Sequence, residues 1–496
     1  MARGSDDDDD DDDDDGTRAV RCATDDDGGR KQTPRLASGV VRTLAVTAVA
    51  SSQLGASSSP SSMTDAAQTP PARSSSPASF TGTARAATST VFAWGCGEDG
   101  QLGVACAPVL VDTASPDYAI DAPRAIETLD GVHVVGVVSG SRNSLATTRD
   151  GALYAWGWNS HRTLGYDWRD RDELYVKMPD RVRMEIDDGG KVCVRHAALG
   201  GWHAVCVDFN GDVWAWGGNE HNQIGVARTS DDAYGGDVPN RDWAEVRSMV
   251  SPGRRVALPM AMRMVTCGGV SSFALSIDGR VYEWGQTTED DEPHAEPKQL
   301  KCDKHVLEIA AGSFHLLLRT RGEVLSYGNG MYGQLGLGAT GASAEPCVID
   351  TFGIGFAPKS IAAGGWHSAC VTAGGLLYTW GRGEYGRLGL GDDCKDKVTP
   401  QIVNLGDVEE TFVDAVSLGG SHSVALTSEG HVLTWGRNTL GRLGRVVRDP
   451  SPACGFPGRV IFPPLPGGAQ WRVSEISAGG RHTLALAAKT LPSSVA

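Results

Sequence analysis

The dipeptide Trp-Gly ends a β-patterned segment at Trp94, Trp156, Trp216, Trp284, Trp380 and Trp435, and Tyr327-Gly328 takes the same place once, at intervals of 62, 60, 68, 43, 53 and 55 residues. Seven copies of one unit constrain the fold more than any single motif does. A unit this short cannot bury its apolar face alone and must stack on its neighbours, so function is sought first at the level of the repeat.

Length alone would divide 496 residues into several domains, but a repeat lets one closed architecture occupy most of them. The 64 glycines are nearly twice the usual frequency of roughly 7%, and they recur at turn positions without collagen periodicity. That is the composition of an all-β chain of many short strands. The formal charge of -16 divides into -5 for residues 1–90 and -11 for the remainder. Both parts repel phosphate, so nucleic acid is not an expected partner. The 11 cysteines include no Cys-x-x-Cys pair, and Cys206 and Cys370 share one repeat position, four residues after Trp202 and Trp366. They read as buried free thiols, which pack as small hydrophobes. No apolar run approaches the ~20 residues of a membrane helix, so no membrane partner is expected.

Residues 1–90 read as a disordered tail. Ten consecutive aspartates, Asp6 to Asp15, cannot pack together, and residues 51–90 are mostly Ser, Ala, Thr and Pro. The aspartates read either as a solvating segment or as a docking site for a basic surface. The stretch 30–56 lacks acidic residues, as a transit peptide does, but the aspartates upstream argue against organelle targeting, leaving a cytoplasmic or nuclear location as the expectation.

The clearest unit runs Ile361-Ala-Ala-Gly364-Gly365-Trp366-His367-Ser-Ala-Cys-Val-Thr, then Gly374-Gly375, Leu-Leu-Tyr-Thr-Trp380-Gly381, and Gly386-Arg-Leu-Gly389. Asp150-Gly151, Asn210-Gly211 and Asp278-Gly279 stand where Gly374-Gly375 does, and such pairs accept the positive φ of two-residue hairpins. Strand alternation such as Val213-Trp214-Ala215-Trp216 turns one face inward. The first copy begins at Val91 with a late strand and lacks the early one; the last begins at Ile476 with an early strand and stops before any Trp-Gly. Joined, they make one unit. The sequence therefore predicts an all-β ring of seven blades over residues 91–488, closed by pairing of amino-terminal and carboxy-terminal half-repeats, with a short tail at 489–496.

These signatures, Gly-Gly-x-His, x-Gly-x-Val-Tyr-x-Trp-Gly and Gly-x-Leu-Gly, resemble the repeats of the regulator of chromosome condensation family, whose fold is a seven-bladed β-propeller. The resemblance covers residues 91 to 488. The Gly-x-Gly-x-x-Gly matches at Gly95, Gly328 and Gly381 recur at one repeat position and lead into Leu-Gly rather than a helix, so no dinucleotide cofactor is expected. The five histidines of the repeat, His203, His315, His367, His422 and His482, are dispersed around a ring and cannot readily converge on a metal. Their structural reading is that each imidazole hydrogen-bonds turn backbone within its own blade. No nucleophile–base–acid spacing suggests a hydrolase, so no covalent catalytic motif is assigned.

The resemblance implies two functions of different kind. In this family the best-known activity is guanine-nucleotide exchange on the Ran GTPase, performed by the face bearing the Gly-Gly-x-His turns; other members look like photoreceptors, ubiquitin-ligase accessory domains or ciliary scaffolds. In the exchange factor several x positions are Asp. Here they are Arg142, Trp202, Val270, Phe314, Trp366, Ser421 and Arg481, none acidic, and Asn143 and Ser271 replace two histidines. The plant ultraviolet-B photoreceptor has Gly-Trp-Arg-His in successive blades, whereas the Gly-Trp-His copies here lie three blades apart, which argues against excitonic coupling. The expectation is a monomeric scaffold that binds a protein partner through a rim of Arg142, Trp202, Phe314, Trp366 and Arg481 with His203, His315, His367, His422 and His482, the alternative being a nucleotide-exchange factor for a Ran-like small GTPase. The rim side chains read equally as a partner surface or as a plug over the central channel.

Overall fold

A computed structural model describes residues 89–104, 118–166, 173–184, 190–226, 250–287, 292–352, 357–405, 412–447 and 451–490. The expected tail, apart from Ser89 and Thr90, lies outside them, with its transit-like stretch 30–56, the residues 491–496 and much of the long segments 166–191 and 227–259.

Each repeat becomes a four-stranded antiparallel sheet, and there are seven of these among the described residues. Pro358–Ala363 lies innermost, followed outward by His367–Thr372, Leu377–Gly381 and Lys397–Ile402. The second and third strands of this blade are buried throughout, while the outermost is half-exposed. Such a gradient is what stacking sheets on both faces demands: only the middle strands are covered on either side. Numbering blades from Val134–Ser139, this is the fifth.

The Trp-Gly ending has a steric cause. Gly381 sits at φ +101°, and a Cβ there would lie 2.7 Å from the Trp366 carbonyl oxygen. A side chain is excluded twice over, by conformation and by space. The pairing with the outermost strand shifts register at this point, between Thr379 and Gly381, so each Trp-Gly marks a bulge.

Ring closure is as the two half-repeats require, with one addition. Thr90–Cys96 pairs with His482–Thr490, and Ala119–Ala125 pairs on its outer side, so the amino-terminal part supplies two strands of the seventh blade. The seventh blade is thus two strands from each end of the chain, and the last strand runs two residues past Ala488.

The tryptophans of the series, Trp94, Trp156, Trp216, Trp284, Trp380 and Trp435, are fully buried. Each indole Nε1 donates to a backbone carbonyl in the preceding blade: Trp156 to Gln101 at 2.8 Å, Trp284 to Gln223 at 2.9 Å and Trp435 to Arg387 at 2.9 Å. Tyr327 reaches back likewise, its hydroxyl 3.1 Å from Thr287 Oγ1. These residues weld blade to blade by apolar burial and one directed bond apiece.

Candidate functional site

One end of the ring carries the seven turns of the Gly-Gly-x-His type, with Ser141 and Ser313 in place of the second glycine and Asn143 and Ser271 in place of the histidine. The turns are tight because their glycines face neighbours: a Cβ on Gly364 would stand 2.6 Å from the Gly419 carbonyl oxygen of the next blade and 2.7 Å from His367 Cε1. The imidazole thus lies directly beneath its own turn.

The histidines do not bond the turn backbone of their own blade. Each reaches the next one. Nε2 of His203 is 2.7 Å from Ser272 Oγ, and the pairs His315–Ser368, His367–Ser423, His422–Thr483 and His482–Ser144 measure 2.8, 2.9, 2.9 and 2.8 Å. Four of the hydroxyls donate onward to a loop carbonyl, as Ser272 does to Gln223 at 2.8 Å. A hydroxyl has one proton, so these four accept from Nε2–H, which fixes the imidazole tautomer. Nδ1 of His315, His367, His422 and His482 is buried with no hydrogen-bond partner among the described residues. A second proton would have no acceptor there, and burial pushes His203, His315 and His482 down to about 3, with His367 and His422 also well below the ordinary histidine value. All five are buried to within a few per cent. They set the rim from below and present nothing to a partner, which corrects their expected place on the binding surface.

The x residues divide. Val270 and Ser421 are buried, whereas Arg142, Trp202, Phe314, Trp366 and Arg481 are half-buried on the rim. The third-to-fourth-strand loops of the blades rise beside them and create two clusters that spacing did not reveal. In blades one and two, Trp202 packs on Trp158 at 5.2 Å and on His161 at 4.5 Å, and the Arg142 guanidinium lies 4.6 Å over Trp158 while its Nε and Nη2 grip Asp99 at 2.7 and 2.6 Å. In blades four and five, Trp366 packs on Phe314 at 5.7 Å and Tyr332 at 5.4 Å, with Arg382 over Tyr332 at 4.7 Å. A third contact places Arg437 4.6 Å over Tyr385, a non-glycine residue at φ 59°.

Trp202 and Trp366 are three blades apart, as expected, but Trp202 has a different indole beside it. The signal was present in Trp156-Gly-Trp158, where a tryptophan follows the anchor by two residues. Tyr332 and Tyr385 share one place in the Gly-x-Gly-x-x-Gly copies at Gly328 and Gly381, and Arg382 and Arg437 follow their anchors by two residues as Trp158 does, so the signal lay in repeat positions outside the Gly-Gly-x turns.

The clusters leave the channel open. A cavity of about 1180 Å³ lies inside the ring, lined by the innermost strands and the rim. Its walls hold six arginines, Arg142, Arg382, Arg387, Arg437, Arg442 and Arg481, against Glu98, Glu308 and Glu384. Arg387 and Arg442 are nearly fully buried and occupy the loop position held elsewhere by Gln101, Gln223 and Gln334. Cys206 and Cys370 are buried free thiols, and burial raises both far above an ordinary thiol. Among the described residues no helix is long and apolar enough to cross a membrane.

The family model of the RCC1-like domain matches residues 176–491, and that of the regulator of chromosome condensation (RCC1) repeat matches 89–147 and 134–162. The chain is 29% identical over 365 residues to the ultraviolet-B receptor UVR8 of Arabidopsis thaliana, covering 71% of this chain and 74% of that one. It is 29% identical over 411 residues to the E3 ubiquitin-protein ligase HERC2 of Homo sapiens, covering 80% of this chain but spanning only 8% of that protein. It is 28% identical to the secretion-regulating guanine nucleotide exchange factor of Mus musculus, covering 67% and 72% of the two chains. The solved structure of yeast RCC1 (Prp20) bound to Kap60 superimposes with a TM-score of 0.65 at 20% identity, over 82% of this chain and 90% of that one, and shows the shared fold.

Proposed function

This chain belongs to the RCC1-like domain family, and from that premise we propose that it is a non-catalytic scaffold that docks a protein partner on the rim of its Gly-Gly-x turns. The observation that carries this reading is the pair of aromatic–arginine clusters beside an open mouth, around Trp202 and around Trp366. Rigid aromatics and arginines give large contact area at small entropic cost, and they dominate binding energy at interfaces. Arg142, Trp202, Phe314, Trp366 and Arg481 make the contacts; His203, His315, His367, His422 and His482 hold the turns that display them. The partner is a protein, the chain acts as a monomer, and its compartment is cytoplasmic or nuclear.

The test is a double change of Trp202 and Trp366 to Ala in the full chain. Loss of captured protein partners with an unchanged unfolding midpoint supports the rim. An unchanged partner set overturns it.

The second reading is guanine-nucleotide exchange on a Ran-like small GTPase, favoured by the likeness to a secretion-regulating exchange factor. Exchange needs no covalent chemistry, only a surface that loosens bound nucleotide. Labelled GDP release from a panel of such GTPases tests it, and no acceleration at micromolar protein across the panel removes it.

A further inference from the structure

The mouth of the ring is stitched by its own turns. In six blades the second residue of the turn donates its backbone N–H to a carbonyl in the turn of the next blade: Gly201 to Gly269 at 3.2 Å, Gly269 to Ser313 at 2.9 Å, Ser313 to Gly365 at 3.4 Å, Gly365 to Gly419 at 3.2 Å, Gly420 to Gly479 at 3.2 Å and Gly480 to Gly140 at 3.0 Å. The seventh stitch is missing. Ser141 of the first blade makes no such bond to the turn of the second among the described residues.

That seam lacks the histidine bridge as well. Asn143 stands in the histidine's place and Ala204 in the hydroxyl's, and Asn143 Oδ1 is buried without a hydrogen-bond partner among the described residues. The seam between blades three and four, where Ser271 replaces the histidine, is better held: Gly269 stitches it, and Ala311 N–H donates to Thr266 Oγ1 at 3.2 Å between the innermost strands. In the first blade Val138 occupies the position of Thr266, and its side chain offers no acceptor to Leu199. What joins the first and second blades lies elsewhere. Val194 N–H donates to the Gly151 carbonyl at 2.8 Å, at the hairpin end of the first blade, and Trp216 Nε1 donates to the Thr163 carbonyl at 2.9 Å. Across the unstitched rim the blades meet through ring faces, Trp158 and His161 against Trp202. Apolar contact is non-directional and survives a change of angle that a hydrogen bond does not.

We propose that the seam between the first and second blades is the hinge of the ring, opening at the mouth with the Val194–Gly151 bond as its fixed end while the other six seams stay shut. The two aromatic clusters then differ in kind. Trp366 and Phe314 face each other across a seam that has both its stitch and its His315–Ser368 bond, so that cluster is preformed. Trp158 and Trp202 face each other across the hinge, so that cluster adjusts its width to what it holds. The difference bears on partner binding only under the scaffold reading; the hinge itself stands without it.

Each of six seams carries its own reporter. Trp216 Nε1–H crosses the hinge, and the indole N–H groups of Trp156, Trp284, Trp380, Trp435 and Trp94 cross five other seams, to the carbonyls of Gln101, Gln223, Gln334, Arg387 and Arg442. Their hydrogen exchange is followed by NMR on the full chain carrying isotope-labelled tryptophan. Trp216 is expected to exchange about tenfold faster than the other five, the factor that two missing hydrogen bonds of ordinary net strength supply. Asn143→His with Ala204→Ser, which adds the absent bridge, should bring Trp216 back among them. Ser144→Ala, which removes the bridge between blades seven and one, should speed Trp156 and leave Trp216 as it was. A Trp216 no faster than the rest overturns the hinge, and so does a fast Trp216 that the added bridge leaves unmoved.

Discussion

His482 of the seventh blade and Ser144 of the first stand 2.8 Å apart across the seam where the ring joins, although 338 residues separate them in the chain. Ser144 passes its own proton to the Gln101 carbonyl at 2.8 Å, which also accepts from Trp156 Nε1. Four more latches of this kind hold other seams. At the other two seams the histidine position is Asn143 or Ser271, and the position that carries the hydroxyl elsewhere is Ala204 or Leu316.

Ser144→Ala should therefore destabilise the fold by about 1–3 kcal/mol in urea unfolding, since it strands the imidazole N–H. His482→Ala should do the same. The double variant is expected to lose less than the sum, and strict additivity would show that the two residues do not act as a unit.

Acid should open the ring. The five latch histidines have folded-state pKa values lowered from 6.5, three of them to about 3, so below 6.5 the unfolded chain binds protons that the folded chain refuses. Stability is complete above 6.5 and is lost as pH falls towards 3, by up to about 1.4 kcal/mol per unit for each histidine. Unfolding midpoints measured from pH 7.5 to 4.5 should fall steeply, and His482→Asn should flatten the slope. A flat profile in the parent would contradict the burial of these rings.

Glu475 behaves in the opposite sense. Burial pushes its carboxyl up to about 7, against a hydrogen bond donated by the Val137 backbone N–H that pulls it down. The folded chain here holds a proton that the unfolded chain releases, so stability is lost as pH rises from 4.5 through 7. Glu475→Gln should be close to neutral at pH 4.5 and stabilising by about 1–2 kcal/mol at pH 8. Equal effects at the two pH values would refute it.

Trp158 and Trp202, with ring centroids 5.2 Å apart and planes tilted by 59°, should give an exciton couplet in circular dichroism. Trp158→Phe is expected to abolish it while Trp366→Phe leaves it intact. A spectrum unchanged by Trp158→Phe would separate the indoles.

Deletion of residues 91–104 should unfold or aggregate the chain, because it removes the strand that joins His482–Thr490 to Ala119–Ala125 and bares a sheet edge. A truncated protein with the parent's unfolding midpoint would disprove closure.

Much of this was open to reading in the chain itself. Trp-Gly counts the blades, the two half-repeats announce the closure, and the histidine column marks the turns. Even the latches are written there, though offset: His203 finds its partner not in Ala204 beside it but in Ser272 of the following copy. Reading each repeat by itself assigns the imidazole to its own blade, because nothing within one repeat says which neighbour it faces. The stacking of sheets says so.

The sequence by itself determined the number of blades, their strands and the seam, since these follow from periodicity and from glycines that tolerate no Cβ. Only the tertiary structure decided which polar groups are buried and which loops meet. Those depend on close packing between segments tens to hundreds of residues apart, as between Trp158 and Trp202 or between Arg382, Arg437 and Arg481 around one mouth. Local pattern fixes a blade because its hydrogen bonds are mostly internal; the rim exists only where seven blades converge.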